Sequence, residues 1–355
     1  MAETTVSSTN VVTQWSKKFF SEYIRGNRFI RYMGDDEDSV IQLVEDLTKK
    51  AGETVNVSFI AKLSNTGVTG STTLVGNEEA LSNYGHKLTV AFLRNAVRVD
   101  ESEMQKSEID LLNAGKKALM NWAKEKIRDD IITAMGMFNT GTGNGTAYAS
   151  ASEATKDAHL ANNSDRFLFG AALSNNAAND HSAALANVDN TSDKFTAARV
   201  GLMKRIAKTA SPLIRPIRVR EDEEWYVIFT GSRAFRDLKT DLLTVHEYAA
   251  DRGKNNPIFV DGDLIYDGCV IREIPEIGVI TGVGNGGIDV QPAYLCGAQA
   301  VAVAWAQRTK ATTEDFDYDF KHGAAISENR TVQKLMYNSK QNGIVTGYFA
   351  GVADS

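Results

Sequence analysis

Residues 100–138 read DESEMQKSEIDLLNAGKKALMNWAKEKIRDDIITAMGMF, and their spacing decides the architecture. Leu112, Leu119, Trp122, Ala123, Ile127, Ile131 and Met135 recur at intervals of three, four or seven, while Lys116, Lys117, Lys124, Lys126 and Asp130 fill the other faces. That is the period of an amphipathic helix. Asp100 to Glu103 has the D-x-x-E form of a capping box. The pattern predicts one helix from Glu101 to Met135, about 50 Å long at ~1.5 Å per residue and well beyond the ~11 to 12 residues of an average helix. It ends at NTGTGNG, residues 139–145, a run of helix breakers.

Upstream of this spine, TVNVSFIAKL (Thr54 to Leu63) alternates apolar and mostly polar residues, a strand signal. A second β-rich run, HKLTVAFLRNAVRV (His86 to Val99), follows a polar, glycine-punctuated segment, although adjacent Phe92 and Leu93 disturb its alternation. Together they predict a long hairpin with an oversized tip. An isolated hairpin is marginal in water, so this one is expected to lean on its own domain or on another chain. The first ~50 residues read as an arm carrying the acidic run Asp35, Asp36, Glu37, Asp38. Its Phe19, Phe20, Tyr23, Ile24, Phe29 and Ile30 call for a surface, which a neighbouring subunit would supply.

Downstream, Ala149 to Asp193 is rich in Ala, Asn, Ser and Asp and reads as irregular structure around one short buried strand in DRFLFGAAL, Asp165 to Leu173. A second amphipathic helix is expected over about Asp193 to Lys208, burying Phe195, Leu202, Met203 and Ile206. Strands follow at IRVR and at WYVIFTG, Trp225 to Gly231. Asp261-Gly262 and Asp267-Gly268 mark hairpin turns within Pro257 to Ile277. In Cys296 to Gln307, CGAQAVAVAWAQ, alternation favours a strand and alanine propensity a helix; the helix is the reading taken. FDYDF (Phe316 to Phe320) and GIVTGYF (Gly343 to Phe349) carry β signals.

The 355-residue composition bounds what such a chain does. Lys plus Arg total 39 against 45 Asp plus Glu, a formal net charge of −6, which disfavours a polybasic nucleic-acid binder. Hydrophobic content of 43% excludes a wholly disordered chain. Cys269 and Cys296 lie in no CxxC or Cys/His cluster, so neither a disulfide framework nor a zinc module is expected. No secretory signal is visible at the start, and Ala298 to Ala306, the longest Ala/Val-rich stretch, is about half the ~20 residues a membrane span requires. Folding in a reducing cytoplasm, with no membrane partner, is the expectation.

Candidate chemistry is sparse. Gly282, Gly284 and Gly287 make a formal GxGxxG, yet Ile288 to Pro292 reads as extended where a dinucleotide site needs a helix. Asp261, Asp263 and Asp267 lack the later glutamate of an EF-hand loop, and turn chemistry accounts for them. His86, His159, His181, His246 and His322 show no metal-binding spacing. Lys204, Arg205, Lys208, Arg215, Arg218 and Arg220 adjoin the acidic run Glu221 to Glu224, which reads as a solvated face or as complementary patches between identical subunits. No catalytic residue, cofactor site or metal ligand is assigned.

The order of elements, an arm, a long hairpin, a spine helix and a mixed β-rich region, resembles the major capsid proteins of tailed bacteriophages, the Hong Kong phage type of shell fold. Local strings sharpen the resemblance: DRFLFG (165–170), LMKRIAKTASPLIRPIRVREDEEWYVIFTGSRAFRDLK (202–239), NPIFVDGDLIYDGCVIREIPEI (256–277), and LCGAQAVAVAWAQ followed by FDYDFKHGAAI. It implies an α+β fold with an N-terminal arm at 1–52, an extended loop hairpin at 53–100, a peripheral domain with the spine helix at 101–191, a mixed axial domain at 192–313 and a C-terminal return at 314–355. It further implies a non-enzymatic major capsid protein of the virion, made in the host bacterial cytoplasm and self-assembling through hexameric and pentameric capsomers into an icosahedral head. That shell encloses double-stranded DNA without sequence-specific binding, with a portal and, given the short arm, a separate scaffold protein as partners. The alternatives are an encapsulin-like compartment shell, which shares the fold, and a cytoplasmic nucleotide-dependent enzyme using Gly282 to Gly287. Lys62 lies on the extended loop with nothing to assign it a cross-link.

Overall fold

The computed structural model describes residues 27–45, 53–107, 109–220, 223–242, 259–260 and 263–354. In chain order these form β1 (Met33–Gly34), β2 (Ile41–Val44), β3 (Thr54–Ile60), β4 (Asn83–Thr89), β5 (Ala91–Asp100), α1 (Glu101–Lys106), α2 (Leu111–Met135), α3 (Glu153–Asn162), β6 (Phe167–Phe169), α4 (His181–Ala186) and α5 (Ala197–Thr209). Then come β7 (Arg218–Arg220), β8 (Glu223–Thr230), α6 (Ser232–Asp241), β9 (Phe259–Val260), β10 (Asp263–Tyr266), β11 (Cys269–Glu273), β12 (Val290–Cys296), β13 (Val301–Phe316), β14 (Lys321–Lys334), β15 (Met336–Tyr337), β16 (Lys340–Gln341) and β17 (Ile344–Ala350). The fold is α+β, and the chain divides into two compact units. One holds Phe92–Ile127 and Gln307–Asn329; the other holds Arg28–Ala91, Arg128–Ala306 and the chain from Arg330.

The larger unit is built on a mixed sheet of order β6-β17-β12-β8-β11-β10-β9, with β7 paired to β8. Period-two alternation separates its faces. On β17, Val345 and Phe349 join a core with Val200, Met203 and Ile206 of α5 and Ala234, Phe235 and Leu238 of α6. Tyr348 and Ala350 point the other way, to Leu160 of α3, Ala184 and Leu185 of α4, and Phe167 and Phe169. Helices thus cover both faces, which is why these strands read as continuous apolar runs. In the same unit β2 pairs in parallel with β13, from Ile41↔Val301 to Val44↔Ala304.

In the smaller unit the adjacent strands β13, β14 and β5 form a sheet. Ala324 and Ile326 of β14 pack with Leu119 and Leu112 of α2 and Val97 of β5. β13 and β14 make a long hairpin whose turn carries positive φ at Asp317 (56°), Tyr318 (54°) and Asp319 (66°).

Several expectations change. The predicted spine is two helices, because Ser107 turns extended at the end of α1, its Oγ accepts from Ile109 N at 3.1 Å, and Asp110 Oδ1 then accepts from Asn113 N at 3.0 Å. Short polar side chains compete for the backbone there and restart the helix. Asp100 stands at the N-cap of α1 with extended backbone but makes no side-chain capping bond. The run His86 to Val99 divides between β4 and β5, strands of two different sheets. The segment 149–193, read as irregular, contains α3 and α4, each opened by a side-chain cap: Ser152 accepts from Thr155 N and Asp180 from Ala183 N. The second helix begins at Ala197, four residues later than expected from Asp193, with Phe195 buried just ahead of it.

Cys296 to Gln307 is strand, not helix. Gln299 at φ 53° breaks the chain between β12 and β13, and Val301 to Ala304 are buried in a sheet whose partner strand lies some 260 residues earlier in sequence. FDYDF supplies the end of β13 and the hairpin turn rather than a strand. Of the arm, Phe29 is fully buried against Phe229, ring centroids 5.0 Å apart, within its own subunit, while Ile30 is exposed. Phe19, Phe20, Tyr23 and Ile24 lie outside the described residues.

Candidate assembly surfaces

The hairpin β3–β4 belongs to the larger unit, with register running from Thr54↔Thr89 to Ile60↔Asn83. Its inward face, Val55, Val57, Phe59 and Leu88, packs on Ala302, Ala304 and Leu335. Tyr337 receives two rings edge-on, Phe59 at 5.9 Å and Tyr84 at 5.0 Å. The glycine run that ends α2 braces the outer strand. Lys87 N donates to Thr142 O at 2.7 Å, and Asn144 bridges Thr89 twice, accepting from its N at 3.0 Å and donating to its O at 2.9 Å. Buried His86 contacts Gly143 O through Nε2 at 2.9 Å. Residues read as helix breakers therefore also form a socket for the hairpin.

Beyond Ile60 and Asn83 the chain makes a wide tip. The Glu79 carboxylate closes it, accepting from Ser64 N (2.7 Å), Ser64 Oγ (2.9 Å) and Asn65 N (2.7 Å). These bonds, the Ser64 amide foremost, hold Glu79 below the usual carboxylate range. On this ordered frame Ile60, Leu63, Leu74, Val75 and Leu81 face solvent, Val75 at 80% exposure. Such apolar side chains gain nothing from their own subunit.

The smaller unit offers a second surface. The outer half of β13, from Arg308 to Phe316, is exposed, and Phe316, fully exposed Tyr318 and Phe320 crown its turn. Ion pairs hold the turn: His322 to Asp315 at 2.6 Å and Lys321 to Asp317 at 3.0 Å. The Asp315 hydrogen bond raises His322 above the ordinary histidine range. A third surface, in the larger unit, is an open cleft of about 880 Å³ where the hairpin strands give way to the tip, lined by Ile60, Lys62, Leu213, Arg215, Tyr337 and Lys340 among others.

The glycine, aspartate and basic residues singled out in sequence do not converge on one another, whereas His86 and His159 meet through Asn139. Gly282 to Gly287 occupies a turn closed by the Ile280↔Val290 bridge and is followed by the strand β12, not by the α-helix that a dinucleotide loop leads into. Asp267 pairs with Lys204 at 3.1 Å in the β10–β11 turn, where Asp267 and Gly268 take positive φ; Asp261 lies outside the described residues. Two members of the basic cluster pair inside the subunit: Lys208 to Glu224 at 2.5 Å, and Arg215 to Glu37 and Asp38 at 2.8 Å each. Glu221 and Asp222 lie outside the described residues. Burial pushes the Cys269 and Cys296 thiols up to about 12, leaving them protonated and inert.

His159 and His181 sit in an aromatic cluster with Phe138, Phe167, Phe169 and Tyr348, a packing role that histidine spacing does not announce. Burial pushes them down to about 3 and about 4, so both are neutral. His246 lies outside the described residues. Among the described residues no helix is long and apolar enough to cross a membrane.

Comparison with known proteins fits surfaces rather than a pocket. The family pattern described as phage capsid protein matches residues 3–352. The capsid chain of cyanophage Pam1 is 39% identical with a TM-score of 0.91, each chain covered in full. The major capsid protein of Pseudomonas phage KPP25 is 27% identical over 95% of this chain and 94% of that one. The capsid of Ralstonia phage GP4, 18% identical over both full chains with a TM-score of 0.76, shares the fold.

Proposed function

The chain belongs to the phage capsid protein family, and from that premise we propose that it is the major shell subunit of a tailed-phage head. Copies of it self-assemble into the icosahedral container around double-stranded DNA. The observation that carries the mechanism is the hairpin tip: ordered by Glu79, yet presenting Leu63, Leu74, Val75 and Leu81 to solvent. Side chains held in place at no benefit to their own subunit find that benefit on a neighbour, and closed symmetry repeats the contact in every copy.

The finer reading is that subunits gather into hexameric and pentameric capsomers, with a separate scaffold protein and a portal as partners, and act without enzymatic chemistry. The division into arm (1–52), reaching loop (53–100), peripheral domain (101–191), axial domain (192–313) and C-terminal return (314–355) describes the roles these segments play in the shell. A net charge of −6 suits a wall that does not grip DNA by counterion release.

The test removes the tip. Ile60 and Asn83 are paired in register, so replacing Ala61–Ser82 by an Asn-Gly turn keeps the strands joined. The expected product is a folded, soluble subunit that builds no shells under negative-stain microscopy with co-expressed scaffold. Normal shells from this variant would remove the tip from the mechanism.

A further inference from the structure

Strand β13 is 16 residues long, and its outer nine, Arg308 to Phe316, are all exposed. One of its edges is taken by β14. On the other, β2 pairs only with Val301 to Ala304, and among the described residues no strand continues that pairing outward. The smaller unit therefore carries an open edge of backbone donors and acceptors, a template on which another strand can add. Thr309, Thr312 and Thr313, β-branched and within this stretch, favour the extended form it needs.

The charges along the edge say which strand fits. Residues 308–316 read RTKATTEDF, basic at the start and acidic at the end. Laid antiparallel on a copy of itself, such a strand sets unlike signs against each other. Two side chains fix the register. Among the described residues Lys310 and Glu314 make no ion pair, whereas Arg308 is engaged inside the subunit and Asp315 holds His322. Four positions apart on one face, Lys310 and Glu314 are ~13 Å from each other along the strand, too far to meet within one chain. A two-fold axis through Thr312 brings each Lys310 directly opposite the Glu314 of the other copy, with ~4.5 to 5.5 Å between Cα atoms. A slip of one residue sets Lys310 against Thr313 and leaves both charges unmatched.

We propose that the outer half of β13 is a homotypic pairing edge, where two copies of the chain join antiparallel through Thr309–Asp315, centred on Thr312, and continue one sheet across a two-fold axis. Such a contact is isologous, and closed assemblies of identical chains contain the two-fold relations that it needs. It draws on a strand edge and not on the hairpin tip, so it stands or falls separately from the shell reading.

Thr312→Cys in the full-length chain tests the pairing, because opposed Cα atoms at that spacing suit a disulfide and the native Cys269 and Cys296 are buried. After mild oxidation, non-reducing gels are expected to show covalent dimers from Thr312→Cys and none from Thr309→Cys, whose two copies stand ~20 Å apart along the paired strands. Lys310→Glu, added to Thr312→Cys, sets like charges opposite each other twice per contact and is expected to slow dimer formation by roughly tenfold, with the unfolding temperature unchanged. Adding Glu314→Lys as well restores it, since unlike charges face each other again. Monomers from Thr312→Cys in material that forms particles overturn the proposal and leave the shell reading standing; dimers from protein that forms no particles do the reverse. Undiminished dimer formation with Lys310→Glu, or no recovery on adding Glu314→Lys, overturns the pairing through Lys310 and Glu314.

Discussion

Lys334 is an ionisable amine inside a core. It is 2% exposed, its Nζ donates to Gln341 Oε1 at 3.0 Å, and burial lowers it to about 7, an effect the nearby Cys296 opposes. An unfolded lysine titrates near ~10.4. Between those values the unfolded chain binds a proton that the folded chain does not, so this group makes stability rise with pH, by about 1.4 kcal/mol per pH unit. Below pH 7 its contribution is constant, and above ~10.4 its cost is gone. The Cys thiols, raised by burial, act in the opposite sense at alkaline pH, so the informative quantity is a difference. Denaturant unfolding of the unassembled parent and of Lys334→Met, compared at pH 7.5 and 9.5, is expected to show the upward slope reduced in the variant. Equal slopes would mean that Lys334 stays charged in the fold. Nothing in the sequence around Lys334 marks it as buried, because its polar partner Gln341 is itself held by Asn163 and Arg166, far away in the chain.

At the scale of elements, the hairpin stands on its socket. Asn144 is the only side chain among the described hydrogen bonds that satisfies both the N–H and the C=O of Thr89. Asn144→Ala removes both bonds and is expected to cost about 1 to 2 kcal/mol locally. The Thr89 amide should then exchange ~5 to 30 times faster, with the exchange of β12 and β17 amides unchanged. Unaltered exchange at Thr89 would show the hairpin held by its apolar face alone. Element type was legible where the period was long and clean: α2, β3, β8, β17 and the short buried β6 all stand in segments so read. It was misread where neighbours outweigh local preference. Alanines in 298–306 favour a helix in isolation, but Ala302 and Ala304 have small side chains that let Val55, Val57 and Phe59 lie close above the sheet. The break at Ser107 to Asp110 turned on hydrogen bonds that a seven-residue period overlooks.

For the whole molecule, folding and assembly draw on different residues. The cores of the two units are closed by their own side chains, whereas Leu63, Val75 and Leu81 contribute to neither. Changing all three to Ser is therefore expected to leave the unfolding temperature of the isolated subunit within about 1 °C, since surface substitutions of this kind are nearly neutral. Shell formation, read by sedimentation velocity, should fail at concentrations where the parent assembles. A lowered unfolding temperature with assembly intact would place these residues in the subunit's own core. The sequence by itself determined the α+β class, the kinships of the chain and the absence of any marked catalytic motif, because these rest on composition, ordered strings and short-range periodicity. Only the tertiary structure decided that Ile41 lies beside Val301, that Phe29 is buried in its own subunit and that His159 and His181 both pack against Phe138. The physical reason is range: hydrophobic period reports which side of an element is covered, while the identity of the cover depends on residues tens to hundreds of positions away.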